Sequence, residues 1–326
     1  MDEATAEQIG EIARLYYLED RSKVEIGQRF GLSRFKVARL LEQGRQEGIV
    51  HIEIRGGNAY QDLLSTRLAT HLGLRSCLVV DSGGSEIQIR ERIAQAATDH
   101  ARTLLEPGDT FGISWGRTMR AIGERLVDLP PSLAVQLTGT VGNDPSQSPV
   151  EVLRSITADS SVRALAIFAP LFAGSAQAAS VLRADPAIAS TLAHFPELKL
   201  AVMSVGSWRP SITQLRHFLS DADVAHLDEE NAQAELLGIF LDADGRVIDG
   251  DLADRRISAS ADDLLRIPHV IAAAGGVQRA PAIAAAARSG LLTTLVTDDQ
   301  AALALLELAP VEQPALRHAG LGDAAS

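Results

Sequence analysis

Glycine-bearing loops that follow apolar runs are the segments of this 326-residue chain best suited to hold a polar ligand. Residues 112–118 read Gly-Ile-Ser-Trp-Gly-Arg-Thr, residues 137–142 read Leu-Thr-Gly-Thr-Val-Gly, and residues 275–279 read Gly-Gly-Val-Gln-Arg. Backbone N–H groups at the start of a helix attract anions, and arginine binds phosphate through two parallel hydrogen bonds. The loops therefore predict a polyol or phosphate pocket that includes Gly276, Arg279 and, at the end of the last apolar run, Asp298. None of them matches the dinucleotide-binding pattern or the Walker loop.

Three further side chains have two interpretations each. Trp115 and Trp208 fit either pocket walls that pack on a sugar ring or ordinary core residues. Glu235, in front of an apolar run, fits either a partner for ligand hydroxyls or a solvated charge at a helix end. The eight histidines are scattered without the spacing of metal ligands, so we expect neither a metal nor a cofactor.

Short apolar runs that alternate with helical patterns must position these loops. Helices are predicted at Glu86–Leu104, Thr118–Val127 and Ala280–Arg288, and Asp244-Gly245 predicts a hairpin turn. Such alternation indicates an α/β fold with a mainly parallel sheet covered on both faces, whose ligands bind at the carboxyl ends of the strands. The predicted strands are Cys77–Asp81, Thr110–Ser114, Ala134–Leu137, Ala164–Phe168, Leu200–Val205, Leu236–Leu241, Val270–Ala274 and Leu292–Thr297.

The N-terminal segment has a different pattern. Helices are predicted at residues 5–18, Lys23–Phe30 and Arg34–Glu47, with Gly31 ending the second helix and Ser33 capping the third. Helix, tight glycine turn and helix form the helix-turn-helix arrangement, whose second helix enters the major groove of DNA. The residues predicted to contact DNA are Lys23, Ser33, Arg34, Lys36 and Arg39.

The charge distribution supports a small DNA-reading module on an acidic body. The chain carries a net charge of −12, which opposes general binding to nucleic acid. The segment from Arg21 to Arg45, however, contains seven basic and two acidic residues, which gives it a local charge of +5. The basic character is thus confined to the predicted helix-turn-helix.

Length and composition indicate two domains. We expect a DNA-binding domain at 1–55, a linker and helix at 56–75, a ligand-binding domain at 76–309 and a flexible tail at 310–326. The strand predicted at 49–54 suggests a small wing. Without a secretion signal or a long apolar run, and with Cys77 as the only cysteine, the chain is expected in the cytoplasm, away from membranes.

Several motifs in a fixed order resemble the SorC family of sugar-responsive bacterial regulators, over essentially the whole chain to about residue 307. They begin with Ile-Ala-Arg-Leu-Tyr-Tyr at 12–17 and Gly-Leu-Ser-Arg at 31–34. The later motifs are Val-Ala-Arg-Leu-Leu at 37–41, Glu-Gly-Ile-Val at 47–50, Ser-Trp-Gly-Arg-Thr at 114–118, Leu-Gly-Ile-Phe at 237–240 with Asp244-Gly245, Ala-Gly-Gly at 274–276 and Val-Thr-Asp at 296–298.

The resemblance implies a sensing domain similar in fold to sugar-phosphate isomerases and CoA-transferases. It also implies a homo-oligomer, a tetramer or dimer, that responds to a sugar, polyol or sugar phosphate while bound to double-stranded operator DNA. Some relatives capture an aldehyde sugar on a pocket lysine, but Lys23, Lys36 and Lys199 lie outside the glycine loops. The residues that the resemblance places in the effector pocket are Gly116, Arg117, Thr118, Thr138, Gly139, Thr140, Glu235 and Arg279.

Two hypotheses of different class remain for the function. The leading one is a regulator without catalytic residues, in which the apolar face of a helix at Tyr60–Leu72 either pairs subunits or packs on its own domain. The alternative is a sugar-phosphate isomerase with an appended DNA-binding head. Isomerisation needs a general base, for which Glu235 and Asp298 are the nominal candidates.

Overall fold

The computed structural model describes residues 3–19, 21–46, 49–50, 59–142, 148–158 and 161–312. The chain divides into two compact units, Met1–Gly57 and Asn58–Ser326. Most of the predicted wing strand, the glycine linker at 56–58 and the tail from residue 313 lie outside the described residues.

The described residues of the first unit form three helices, as predicted: α1 (Glu3–Tyr17), α2 (Lys23–Phe30) and α3 (Arg34–Gln46). A capping box starts α2, because the Ser22 hydroxyl accepts from the Glu25 N–H and the Glu25 carboxylate accepts from the Ser22 N–H. Gly31 ends α2 in the left-handed conformation, at φ 65°. The helices enclose one core, made of Ile9, Ile12, Ala13, Leu15, Ile26, Val37, Leu40 and Leu41.

The second unit begins with α4 (Ala59–Leu72) and is built on a seven-stranded sheet whose neighbouring strands are all parallel. A separate three-stranded antiparallel sheet lies beyond β5 in the chain and consists of β6 (Gly206–Ser207), β7 (Ala234–Leu236) and β8 (Ile239–Leu241). The parallel strands are β1 (Ser76–Val80), β2 (Thr110–Ile113), β3 (Leu133–Gln136), β4 (Arg163–Leu165), β5 (Leu198–Met203), β9 (His269–Ala273) and β10 (Thr294–Asp298).

The helices between these strands make the sheet a doubly covered layer. One face of the sheet buries an apolar cluster that includes Ile93, Phe111 and Met119, and the other face buries a second cluster that includes Leu68, Ile283 and Leu305. The mainly parallel α/β fold predicted from the sequence is therefore confirmed. The helices are α5 (Glu86–Leu104), α6 (Arg117–Gly123), α7 (Pro149–Thr157), α8 (Ala176–Ala184), α9 (Pro186–Leu192), α10 (Asp221–Glu229), α11 (Asp251–Asp254), α12 (Ala261–Arg266), α13 (Ala280–Ser289) and α14 (Asp299–Leu306).

The strand order of the sheet, β1-β10-β9-β5-β2-β3-β4, contains a topological switch point. From β2 the chain adds β3 and β4 toward one edge, and from β5 it adds β9 and β10 toward the other. The loops that leave β2 and β5 therefore diverge to opposite sides of the sheet. A crevice opens between diverging loops at the carboxyl ends of the strands, where open α/β sheets bind ligands.

The strand predicted at Leu236–Leu241 is wrong, because two strands and a turn occupy that segment. Leu237 and Gly238 both have positive φ, 56° and 78°, which is the conformation of a two-residue hairpin turn that suits the twist of the flanking strands. The predicted turn at Asp244-Gly245 is present, with Gly245 at φ 82° and a single antiparallel bridge between Leu241 and Val247. The helix predicted to reach Val127 ends at Gly123.

Two further observations concern the ends of the second unit. Leu64, Leu68 and Leu72 of α4 belong to the core of their own unit, whereas Leu63 on the same helix is 70% exposed. The start of the predicted flexible tail is anchored, because the Val311 N–H donates to the His71 carbonyl at 2.8 Å.

Candidate functional site

A cavity of about 590 Å³ lies at the carboxyl ends of β2, β5, β9 and β10, at the switch point of the sheet. Its walls come from the loops that leave these strands and from the amino-terminal part of α5. Of the residues predicted to bind a ligand, the cavity brings together Gly116, Arg117, Thr118, Glu235, Gly276, Arg279 and Asp298.

Two of the guanidinium groups in this cavity, those of Arg117 and Arg279, lie on loops at the carboxyl ends of strands. Arg117 is the first residue of α6, directly after Gly116, whose φ of 111° is a conformation that favours glycine. Arg279 is half-buried and donates to the Gly275 carbonyl at 2.8 Å. Burial and, second to it, the positive charge of Arg117 lower the pKa of Arg279. The two positive charges repel each other, so an anion that binds to both arginines is stabilised.

Asp298 connects two sides of the cavity. One carboxylate oxygen, Oδ1, accepts from the Ala301 N–H at 2.9 Å and caps α14, while Oδ2 accepts from the Gly276 N–H at 2.6 Å. A Cβ on Gly275 would lie 2.3 Å from Oδ2, so the loop approaches Asp298 this closely because glycine has no side chain. Asp298 therefore holds the loop that carries Arg279.

Glu235 lies on β7 and is 7% exposed. The Thr213 hydroxyl donates to its Oε1 at 3.2 Å, and the Gly238 N–H donates to its Oε2 at 3.3 Å. Burial raises the pKa of Glu235 to about 7. Of its two interpretations, the solvated charge at a helix end is excluded by this burial in a strand. A carboxyl group with this pKa can accept from a ligand hydroxyl when ionised and donate when protonated.

Sequence reasoning missed the contribution of α5 to the cavity. Glu86 and Arg90 both line it and form an ion pair at 2.6 Å, with Arg90 only 22% exposed. The polar side chains of Ser204 and Thr213 also line it. The available signal was the Ser-Gly-Gly-Ser stretch at 82–85, which follows β1 and precedes α5 as the recognised loops follow their strands.

The predicted loop at Thr138, Gly139 and Thr140 does not line the cavity. Its backbone pairs with other segments, since the Gly139 N–H donates to the Ile257 carbonyl at 2.8 Å and the Thr140 N–H donates to the Ala169 carbonyl at 2.8 Å. The physical reason is the strand order. The loop leaves β3, which lies on the far side of β2 from the switch point.

The two tryptophans have different roles. Trp115 lines the cavity and also belongs to a buried apolar cluster, with 8% of its surface exposed, so it has features of both interpretations. Trp208 is fully buried outside the cavity lining, edge-on to Phe240 with ring centroids 5.4 Å apart. Its indole N–H donates to Asp228 at 2.8 Å, so Trp208 is a core residue with a satisfied polar group.

The first unit presents the residues predicted to contact DNA around α3. The Ser33 hydroxyl accepts from the Lys36 N–H at 3.2 Å and caps the helix. Ser33, Arg34, Lys36 and Arg39 are all exposed, whereas Val37, Leu40 and Leu41 of α3 point into the core. Lys23, on α2, lies 5.2 Å from the centre of the Tyr16 ring.

Among the described residues, no group of three or more histidine, cysteine, aspartate or glutamate side chains is placed to hold a metal ion. None of the helices in the described part of the chain combines the length and the apolar character needed to cross a membrane.

Comparison with known proteins matches the second unit to one family. The profile of the family described as "Putative sugar-binding domain" covers residues 59–307. The full-length sorbitol operon regulator SorC from Klebsiella pneumoniae has a similar structure, with a TM-score of 0.74 and 23% identity over 94% of this chain and 100% of that chain. At this identity the similarity concerns the fold.

Curated relatives extend over both units. The transcriptional regulator LsrR of Enterobacter sp. (strain 638) is 29% identical over 308 residues, which cover 93% of this chain and 94% of that protein. LsrR of Klebsiella pneumoniae is 28% identical over 311 residues, with 94% of each chain covered.

Proposed function

The chain belongs to the sugar-binding-domain family of SorC-type regulators, and on that premise we propose that it is a DNA-binding transcriptional regulator whose operator binding is controlled by a small effector. The effector is a sugar, a polyol or a sugar phosphate. The relatives named as transcriptional regulators match both the DNA-binding and the effector-binding unit, which supports this division of labour.

The observation that carries the proposed control by a small effector is the pair of arginines in the cavity. Arg117 and Arg279 supply two guanidinium groups at one place, and within the described residues neither forms an ion pair with a carboxylate. Guanidinium binds phosphate bidentately, and the walls of this cavity also offer hydroxyl, amide and carboxyl groups. We therefore favour a phosphorylated sugar, with its phosphate at the arginines and its hydroxyls toward Glu235 and Thr213.

The contacts to DNA are assigned to the first unit. Its glycine turn and capped α3 have the geometry of a helix-turn-helix, and the exposed basic side chains around α3 are suited to phosphate and base contacts. The assigned residues are Lys23, Ser33, Arg34, Lys36 and Arg39.

Regulation in this proposal acts through assembly. We propose a homodimer or homotetramer, in which two-fold pairing of the DNA-binding units gives a roughly palindromic operator. The subunits can take more than one arrangement, and the effector binds one of them more tightly than the others. Its binding therefore changes the affinity for DNA. A protein with this role works in the cytoplasm, where the bacterial chromosome lies.

One observation favours an enzyme as the second candidate. Glu235 is buried in the cavity with a pKa of about 7, the range that suits a general base at neutral pH. The other nominal base, Asp298, has both oxygens engaged by backbone N–H groups. Glu86, a further carboxylate of the cavity, is paired with Arg90, so we propose binding without turnover.

A thermal-melt screen of the purified protein against sugars, polyols and their phosphates tests the proposal. A ligand that binds only the folded state at 100 times its Kd adds about 2.7 kcal/mol of stability. Stabilisation by phosphorylated sugars alone supports the arginine site, and stabilisation by free sugars alone removes the phosphate from it. Conversion of a sugar phosphate by the protein would support the isomerase instead.

A further inference from the structure

The direction in which each residue of α3 points follows from helix geometry. Val37, Leu40 and Leu41 are buried and define the inward direction of the helix. Successive side chains are rotated by about 100°, so the positions nearest the opposite direction in the first two turns are Phe35 and Arg39. Arg34 and Lys36 lie between these two directions, one on each flank.

Phe35 is therefore an aromatic ring at the centre of the exposed face of α3. The chain has eight phenylalanines, and this one is 66% exposed. Phe30, in the same unit, is instead packed against the core. Among the residues that the structure describes, the guanidinium of Arg34 lies 4.7 Å from the centre of the Phe35 ring, and most of the Phe35 side chain stays open to solvent.

The surroundings of Phe35 indicate what covers it. Arg34, Lys36 and Arg39 place three positive charges around an apolar ring at the start of a helix. That combination is complementary to the major groove, where phosphates line both sides and one base, thymine, displays a methyl group on its edge. A protein partner of similar size would need charge of the opposite sign around its own apolar contact, and duplex DNA supplies both features together.

We propose that Phe35 is a specificity-determining residue that packs against the C5 methyl group of a thymine in the operator. The proposal rests on the proposed function, because it requires α3 to enter the major groove. Arg39, on the same face, reaches a base edge one turn further along the helix. Arg34 and Lys36, on the flanks, bind the phosphates on either side of the groove. Arg34 stacks on Phe35 and so keeps its guanidinium at the edge of the apolar contact.

The experiment first obtains a binding site for the full-length protein by selection from randomised duplex DNA. Each thymine of the selected duplex is then replaced by uracil, which removes only the methyl group. For the wild-type protein we expect one thymine in each half-site at which this replacement weakens binding about fourfold, the effect of one buried methyl group (about 0.8 kcal/mol).

The variant Phe35→Ala is expected to bind the thymine duplex at least fourfold more weakly and to bind the thymine and uracil duplexes equally. Phe35→Leu, which keeps an apolar side chain, retains part of the preference for thymine. The matched control is Leu18→Ala, since Leu18 is another exposed apolar residue of the first unit, 78% exposed. It leaves both affinities unchanged. Circular dichroism of the three variants verifies that the helices are intact.

The outcomes separate the two proposals. If the wild-type protein binds the selected duplex but Phe35→Ala discriminates thymine from uracil as the wild type does, the role of Phe35 is wrong and DNA binding stands. The same holds if no thymine replacement matters. If the wild-type protein selects no duplex at all, the proposed function fails, and the role of Phe35 fails with it.

Discussion

The carboxylate of Asp298 accepts a hydrogen bond from the Gly276 N–H at 2.6 Å and so joins the end of β10 to the loop that follows β9. Arg279 follows Gly276 by three residues, and its own guanidinium donates back to the Gly275 carbonyl. The position of the positive charge in the cavity thus depends on a buried acidic residue that the sequence suggested as a ligand contact.

Removal of Asp298 tests this supporting role. Asp298→Ala loses the cap of α14 and leaves a buried N–H without its acceptor, so we expect a loss of about 2–4 kcal/mol in the free energy of unfolding. The affinity for a phosphorylated effector should fall more than the affinity for its free sugar, because the loop that carries Arg279 loses its anchor. Asp185→Ala is the matched control, because Asp185 caps α9 without lining the cavity. Equal losses for both ligands would show that Asp298 does not act through Arg279.

Removal of Arg279 tests the contact with the phosphate itself. Arg279→Ala should weaken a phosphorylated effector roughly tenfold to a hundredfold, the effect of one or two charge-assisted hydrogen bonds, and should change binding of the unphosphorylated parent little. Isothermal titration of both ligands measures the difference. Arg246→Ala, an exposed arginine away from the cavity lining, is the control. Equal losses for both ligands would remove Arg279 from the phosphate site.

The burial of Glu235 makes the stability of the protein depend on pH. Its pKa is about 7 in the folded protein and near 4.5 in the unfolded chain, so the unfolded state loses this proton first. As the pH rises from 4.5 to 7, the free energy of unfolding falls by about 3 kcal/mol in total. Below pH 4.5 the neutral Glu235 carboxyl makes its full contribution to the stability of the folded protein.

Glu235→Gln keeps the shape of the side chain and removes the titration. Urea unfolding of both proteins at about pH 5 and pH 8 measures the effect, and the difference in stability between variant and wild type should shift in favour of the variant at the higher pH. A difference that does not change with pH would mean that Glu235 is ionised throughout.

The contacts to DNA can be separated from the effector site. Arg34→Ala combined with Lys36→Ala removes two contacts to phosphate, so it should weaken binding to the operator and to unspecific duplex DNA by similar factors. It should also lower the slope of log K against log salt concentration by about 2. Effector binding should stay as in the wild type. Arg14→Ala, on α1 with a 70% exposed side chain, is the control for loss of surface charge. Unchanged operator affinity in the double variant would be incompatible with α3 as the recognition helix.

The sequence predicted those parts of the structure that depend on local patterns. The helix at Glu86–Leu104 was found to the residue, because its amphipathic repeat and its capping serine are both local signals. The hairpin at Leu237–Gly238 was missed, since a leucine with positive φ leaves an uninterrupted apolar run. Burial of both strands stabilises that turn, and burial is a property of the whole fold.

The residues that line the cavity show the same difference between what local patterns predict and what depends on the whole fold. Arg117 and Arg279 were found because each follows a glycine loop at the end of a strand. The loop at 138–140 carries the same signal, but the order of strands in space places it beside other backbone segments, and this order is not readable from the loop itself. Arg90 was missed because it enters the cavity from the side of a helix.

The most direct test of the account follows operator DNA rather than the effector. Fluorescence anisotropy of a labelled operator with the full-length protein is measured in the presence of a panel of sugars, polyols and sugar phosphates. We predict that a phosphorylated sugar changes the affinity for DNA about 5- to 150-fold in the wild-type protein, and that the same concentration has little effect on Arg279→Ala. Operator binding that no member of the panel alters, together with conversion of a sugar phosphate by the protein, would contradict the regulator and support the isomerase.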